Sequence, residues 1–416
     1  MSVRVIDAFM GSGKTTYIMN QIEQRCGASR FLYISPLLSE VGDPEARDRA
    51  PELRKQKQLG RIGQACPSAN FKQPKTRPSK SKHLKHLLAQ GENIACTHKL
   101  FELMDEEAVC LIKEQRYEII IDEALDAVQG YTGLREGDNS LLANWFDIDK
   151  GYQVHWQGPD DCRYEDVISL CNDGRLFNFR GRFYVCELSP SLITNAKSVT
   201  ILTYLFEASI MAAWMRVHDI AYTYEDNESI GLKSEPVFLA ESKELISFCE
   251  SPYVEKMAAK SLSAIGYNNM NNSDLKRMKG QLEKMVERHI SCNSSDLIWT
   301  CYGKQKATLK GKGYARSHVP CNVRATNDYS NRSIGLYLID RYQHQNIKVF
   351  LEAKGQTLDD DLFGLSEMIQ WIWRLRIRNS EPITLAIPSQ RMRDLLTRWL
   401  NGEFIRVHSE PMNVAA

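Results

Sequence analysis

The chain has 416 residues, 43% of them apolar, and a formal net charge of +1. This is enough apolar material for two or three packed domains, but no apolar run reaches bilayer length; the longest candidate, 201–215, carries Glu207, so a membrane-spanning reading is excluded. Near-neutral charge gives no global attraction to nucleic acid, so any such binding has to come from local patches.

Eleven cysteines are scattered without a C-x-x-C pair, which suggests neither a zinc knuckle nor a disulfide framework. Cys96 and His98 flank Thr97, and His83 lies near His86, but two isolated ligands do not make a metal site. The opening MSVRVIDAF lacks a positive n-region, an apolar h-region and a small-residue cleavage site, and is read as the start of a cytoplasmic chain.

Residues 3–8 form a short apolar run, followed by a glycine-rich turn and a helical pattern that puts Tyr17, Ile18 and Ile22 on one face. The turn, AFMGSGKT over 8–15, fits the phosphate-loop pattern with Ala8 in place of its first glycine. Gly11 and Gly13 let backbone N–H groups curl around phosphate oxygens, and the helix N-terminus adds partial positive charge. Lys14 bridges the terminal phosphates in this pattern and the Thr15 hydroxyl holds Mg²⁺; Ser12 and Thr16 complete the expected nucleotide-binding set.

A second strand is predicted over 31–35, stopped by Pro36, and a third over 94–97. Between them, KQPKTRPSKSKHLKH over 72–86 carries Lys72, Lys75, Arg77, Lys80, Lys82 and Lys85 and no acid. Pro74 and Pro78 make its first half a loop, which is either a solvated surface loop or a phosphate-contacting arm. Residues 117–121 are read as a buried strand built on three isoleucines that ends on an acidic pair, YEIIIDEAL. Such a pair suits Mg²⁺ coordination by Asp122 and polarisation of an attacking water by Glu123.

Residues 129–191 break the strand–helix rhythm and read as an insertion, partly β; 199–202 is another strand. A second alternating series follows from 223: strand 236–239, helix 241–249, strand 297–302, helix 332–342, strand 348–351, helix 361–378, strand 383–387 and helix 390–400. Short apolar strands separated by helices predict parallel sheets buried on both faces, in two consecutive α/β halves.

Taken together, these segments resemble superfamily 2 helicases, and more narrowly the helicase-like proteins of tailed bacteriophages, over 3–400. Motif I of that family commonly begins with Ala, as at Ala8, and motif II is the DExx box, here DEAL at 122–125. YISPLLSEV resembles motif Ia, and NIACTHKLF the next nucleic-acid-contacting motif, which implies backbone contacts at Ser35, Thr97 and His98. ILTYLFEAS resembles motif III, with Thr203 as its coupling residue. LIWTCYGKQ and CNVRATNDY resemble motifs IV and V, the latter implying nucleic-acid contacts at Thr326 and Asn327.

QWIWRLRIR over 370–378 resembles motif VI, with Trp373 and Arg376 where the family has glycines. An arginine projected across a cleft stabilises charge developing on a γ phosphate. Helical spacing puts Gln370, Arg374 and Arg378 on one face, with Arg374 the first choice as the catalytic arginine and Arg376 and Arg378 competing for second. The plainer reading is a basic helix that buries Trp371, Ile372 and Leu375 and solvates its charges.

The resemblance implies two tandem RecA-like domains, 1–222 with the insertion and 223–400, followed by a tail, 401–416. It further implies ATP and Mg²⁺ as cofactors, a nucleic-acid partner with DNA ahead of RNA, and replication or recombination proteins as further partners. In that scheme the arm residues Lys75, Arg77, Lys80 and Lys82 contact phosphates. Three other readings share parts of the pattern: a viral DNA-packaging ATPase, for which Asp359, Asp360 and Asp361 are the only notable acidic cluster, a nucleoside kinase, and an ATP-gated nucleic-acid clamp.

Overall fold

A computed structural model describes residues 2–134, 137, 138, 142, 144–290, 292–321 and 328–405. The first half opens with β1 (Val3–Asp7), β2 (Phe31–Ser35), β3 (Ile94–Thr97) and β4 (Glu118–Asp122). The irregular region contributes β5 (Val128–Gly130), β6 (Phe146–Ile148), β7 (Val154–Trp156), β8 (Leu176–Phe179) and β9 (Phe183–Glu187). The chain then forms β10 (Ser198–Thr203) and β11 (Thr223–Tyr224), and the second half holds β12 (Ile246–Phe248), β13 (Leu297–Thr300), β14 (Ile334–Tyr337) and β15 (Ile383–Ala386).

Two parallel sheets result. The first runs β11-β1-β10-β4-β2-β3 and the second β12-β15-β14-β13. Side chains alternate across a strand, and in the first sheet each set finds an apolar partner. Val5, Ile34, Ile119 and Ile201 face one cluster with Trp214 and Phe206, while Ile6, Tyr33, Ile120 and Leu202 face another with Ile18 and Ile22 of the helix Lys14–Gln24. Within 129–191 the strands pair antiparallel, β5-β9-β8 and β6-β7. Because β11 pairs with β1, the first sheet extends past the expected division at 222.

Several short apolar runs fold as the other element. The 236–239 segment, read as a strand, lies in the helix Glu235–Leu245, whose first turn holds Pro236. Part of 241–249, read as a helix, is β12. The 332–342 segment, also read as a helix, supplies the fully buried β14, and 348–351 belongs to the helix Gln345–Ala353, capped by His344. Periodicity over four or five residues does not separate a buried strand from a buried helical turn; tertiary packing decided each case.

The helix expected over 361–378 is Asp360–Ile372 and stops there. Its end tightens through Arg374 N–H to the Trp371 carbonyl at 3.2 Å and Leu375 N–H to the Ile372 carbonyl at 2.9 Å, before a separate 3₁₀ turn, Arg376–Asn379. Gln370, Arg374 and Arg378 therefore do not share one continuous helical face.

The halves are joined by shared cores. Phe9, Tyr204, Leu205 and Ala208 of the first half belong to the cluster built by Trp371, Trp373, Leu385 and Trp399 of the second. The helix Gln345–Ala353 packs in turn on the first half, with Phe350 against Phe177 and Phe179, and just beyond it Lys354 pairs with Glu187 at 3.0 Å. Among the described residues no helix is long and apolar enough to cross a membrane.

Candidate nucleotide-binding site

At the carboxyl ends of β1, β2, β4 and β10 the first sheet opens into a cavity of about 340 Å³. Its wall includes Gly11, Gly13, Lys14, Thr15 and Thr16 from the glycine-rich turn, Asp122 and Glu123 from the end of β4, and Thr203 from the end of β10. Gln370, Trp373, Arg374 and Arg378 close it from the second half. Residues separated by most of the chain thus face one space. Crevices outside the carboxyl ends of parallel strands are where open α/β sheets receive ligands.

The turn is built for anions. Gly11 and Gly13 adopt φ of 81° and 96°, which open the loop without steric cost. The helix Lys14–Gln24 starts directly after Gly13, and the N–H groups of its first turn have no acceptor within the helix. Lys14 Nζ donates to the carbonyls of Ala8 at 2.8 Å and Phe9 at 3.2 Å, which fixes the ammonium over the mouth of the loop. Burial lowers the Lys14 pKa, and the charges of Asp122, Glu123 and Asp7 oppose that shift.

Asp122 accepts from the Tyr33 hydroxyl at 2.8 Å. Burial raises its carboxyl, countered by the Tyr33 hydrogen bond, by the charges of Lys14 and Arg61 and by a hydrogen bond from Thr15. A hydroxyl beside a carboxylate is a hard-oxygen donor pair, and with open volume in front it fits Mg²⁺, which takes few protein ligands and keeps several waters. Glu123 has φ of 68°, a left-handed conformation that costs a non-glycine residue about 1–3 kcal/mol. Its N–H is held by the Leu202 carbonyl of β10 at 2.8 Å.

The two arginine candidates separate. Arg378 lines the cavity, whereas Arg376 donates to the Pro382 carbonyl at 2.6 Å and lies 3.9 Å from Glu381. Arg374 is buried, with 4% exposure, on the cavity wall. The sequence expectation of one helical face was wrong about the helix, yet Gln370, Arg374 and Arg378 do line the same cavity.

Two residues expected on nucleic acid are placed elsewhere. Ser35 is 1% exposed and lines the cavity, and His98, 8% exposed, sits with Nε2 2.9 Å from the Asp122 carbonyl, bracing the end of β4. Thr97 ends β3, half-buried. Lys75, Arg77, Lys80 and Lys82 are exposed on the arm; Lys80 and Lys82 sit in the first turn of the helix Lys80–Ala89, capped by Ser79. Thr326 and Asn327 lie outside the described residues. The acidic cluster does not converge: Asp359 caps its helix, Asp360 pairs with Lys348 at 2.5 Å, and Asp361 with Arg391 at 2.8 Å.

The sequence reading missed Tyr33, Glu40, Arg61 and Tyr204, all at or beside the cavity. Tyr204 follows Thr203 and spans the halves: its hydroxyl donates to Glu235 at 2.6 Å and accepts from Trp399 Nε1 at 2.6 Å. Beside it, Phe9 of the glycine-rich turn stacks on Phe238 at 3.6 Å between centroids, and Phe238 meets Trp373 and Trp399. Tyr204→Phe is expected to destabilise the chain by about 1–3 kcal/mol, because it strands the buried Trp399 N–H, and urea unfolding measures the loss.

Residues 240–400 match the family described as the YonV C-terminal Rossmann-like domain, in keeping with the parallel second sheet. The chain is similar to the SPbeta prophage-derived uncharacterized protein YonV of Bacillus subtilis (strain 168), with 28% identity over 425 residues, 96% of this chain and 99% of that protein. Among solved structures it is similar to the DUF1998 helicase MrfA bound to DNA and AMPPNP, at 12% identity and a TM-score of 0.31. That alignment takes in 96% of this chain and 48% of the helicase chain, so this chain spans about half of the helicase's length.

Proposed function

We propose that the protein is a polynucleotide-stimulated ATPase, a helicase or translocase of the superfamily 2 kind with two tandem RecA-like halves, working in a phage context. One observation carries this reading: the glycine-rich turn and the acidic pair near the start of the chain face Gln370, Arg374 and Arg378 near its end across a single cavity. The prophage origin in the name of its relative supports the phage setting.

In this reading ATP lies with its phosphates on the turn. Lys14 and the first-turn N–H groups hold the terminal phosphates, and Glu123 accepts a proton from the attacking water. Thr15 and Asp122 would hold Mg²⁺, which supplies charge neutralisation on the phosphates. Arg374 and Arg378 stabilise charge developing on the γ phosphate, so the second half responds to the state of the nucleotide. Thr203 and Tyr204, at the end of β10, carry that response into the contact with Glu235 and Trp399. The polynucleotide backbone is met by Thr97, Thr326 and Asn327 and by the arm residues Lys75, Arg77, Lys80 and Lys82, which implies weak sequence preference and strong salt dependence.

Steady-state ATP hydrolysis with and without single-stranded DNA, duplex DNA and RNA tests the proposal. Turnover is expected to rise several-fold with a polynucleotide, DNA above RNA, and the stimulation to fade with added salt. Hydrolysis indifferent to every polynucleotide would remove the motor reading. Phosphoryl transfer to a nucleoside acceptor would replace it with a kinase.

A further inference from the structure

The segment after β2 delivers a charge to the cavity that the sequence motifs do not account for. The helix Pro51–Ala65 is broken at Gly60, with φ of 63° and ψ of −179°, a conformation essentially reserved for glycine. Gly42, with φ of 91°, lies against it. A Cβ on Gly60 would stand 2.3 Å from the Gly42 nitrogen, and a Cβ on Gly42 would stand 2.4 Å from the Gln58 carbonyl oxygen. Two backbones therefore touch at a point where no side chain fits. The crossing brings Glu40, just before Gly42, and Arg61, just after Gly60, onto the cavity wall beside Asp122.

Arg61 Nη1 is 3.6 Å from Glu40 Oε2, a loose ion pair rather than a close hydrogen bond, and the Arg61 side chain is 51% exposed. A guanidinium carries five donors, so one edge can stay with Glu40 while another meets a second anion. The Arg61 charge reaches across the site. Burial is the main cause of the lowered pKa of Arg378, the arginine arriving from the other half, and the like charge of Arg61 adds to it. Arg61 and Arg378 line one cavity from the two halves, so a phosphate lying between them meets a guanidinium from each side. A terminal phosphate in the space between the halves satisfies both.

We propose that Arg61 is a phosphate-binding residue supplied by the first half, oriented by Glu40, and that it contacts the terminal phosphate of a bound nucleoside triphosphate and so sets the preference for triphosphate over diphosphate. This rests on the nucleotide reading of the cavity. Arg61 and Arg378 then grip the same phosphate from opposite halves.

The test is equilibrium titration of the full chain, in the presence of Mg²⁺, with a fluorescent non-hydrolysable ATP analogue and with fluorescent ADP. Wild type is compared with Arg61→Ala, Arg61→Lys, Glu40→Gln and Lys14→Ala, and thermal melting reports the folding of each. Arg61→Ala is expected to weaken the triphosphate analogue about ten- to hundredfold while ADP affinity stays within about twofold. Arg61→Lys restores part of the difference, and Glu40→Gln gives a smaller loss of the same kind. Lys14→Ala loses both ligands. Should Arg61→Ala fail to fold, Arg61→Gln, which keeps the aliphatic stem, takes its place. Unchanged discrimination in a folded Arg61 variant, with Lys14→Ala deficient, overturns the Arg61 assignment alone. A wild-type chain that binds neither nucleotide overturns this assignment together with the nucleotide reading.

Discussion

Lys14→Ala is expected to lower ATP turnover by about 10²–10³-fold, the usual cost of removing one preorganised charge from a developing anion. The Lys14 ammonium is held by the Ala8 and Phe9 carbonyls at 2.8 and 3.2 Å, so it is already oriented before any ligand arrives. Its charge also offsets Asp122 and Glu123, the two carboxylates that share the cavity. Without it, the phosphates of an incoming nucleotide meet those acids with one cation fewer, so affinity falls together with turnover. Nucleotide titration and steady-state hydrolysis on the same preparation measure both losses. Wild-type turnover in a folded Lys14→Ala chain would remove the glycine-rich turn from the chemistry.

Arg374→Ala is expected to have an effect of similar or larger size on a different step. An arginine that reaches a transferring phosphoryl group contributes about 10³–10⁵-fold to turnover. Because that contribution belongs to the transition state, nucleotide affinity is expected to change much less than kcat. Arg376→Ala is the internal control. Its guanidinium donates to the Pro382 carbonyl at 2.6 Å, outside the cavity wall, so the variant is expected to retain hydrolysis. A merely structural Arg374 gives the opposite pattern: lower stability in urea, with unchanged turnover per folded molecule.

The parts legible in the sequence were those whose chemistry is local. A glycine-rich turn between an apolar strand and a helix, and an acidic pair closing a run of isoleucines, each declare themselves within ten residues. The folded chain puts both on one cavity. Short apolar runs in the second half were less readable: β14 and the helix Gln345–Ala353 were assigned the wrong way round, because both are buried and too short to show a period.

Burial is not legible in a local motif. Ser35 and His98 occupy the expected strand ends, but the fold turns them inward, to the cavity and to the Asp122 carbonyl. Arg61 left no local motif at all, and Glu40 sits within YISPLLSEV without having been singled out. Their placement depends on two glycines far apart in sequence whose backbones meet in space, and only the pairing of Gly42 with Gly60 could have hinted at it. Tyr204 was overlooked because a tyrosine after a strand reads as core, and its hydrogen bonds to Glu235 and Trp399 arise only when the halves come together.

Whether residues 8–16 and 370–378 hold one triphosphate between them is read most directly by amide hydrogen exchange, comparing the chain alone with the chain saturated by a non-hydrolysable ATP analogue and Mg²⁺. Slowed exchange is expected in both segments over the same ligand concentration range, with the 370–378 response lost in Arg374→Ala and the 8–16 response retained. Protection confined to 8–16 in the wild-type chain, with 370–378 unaffected at saturation, would contradict a site shared by the two halves.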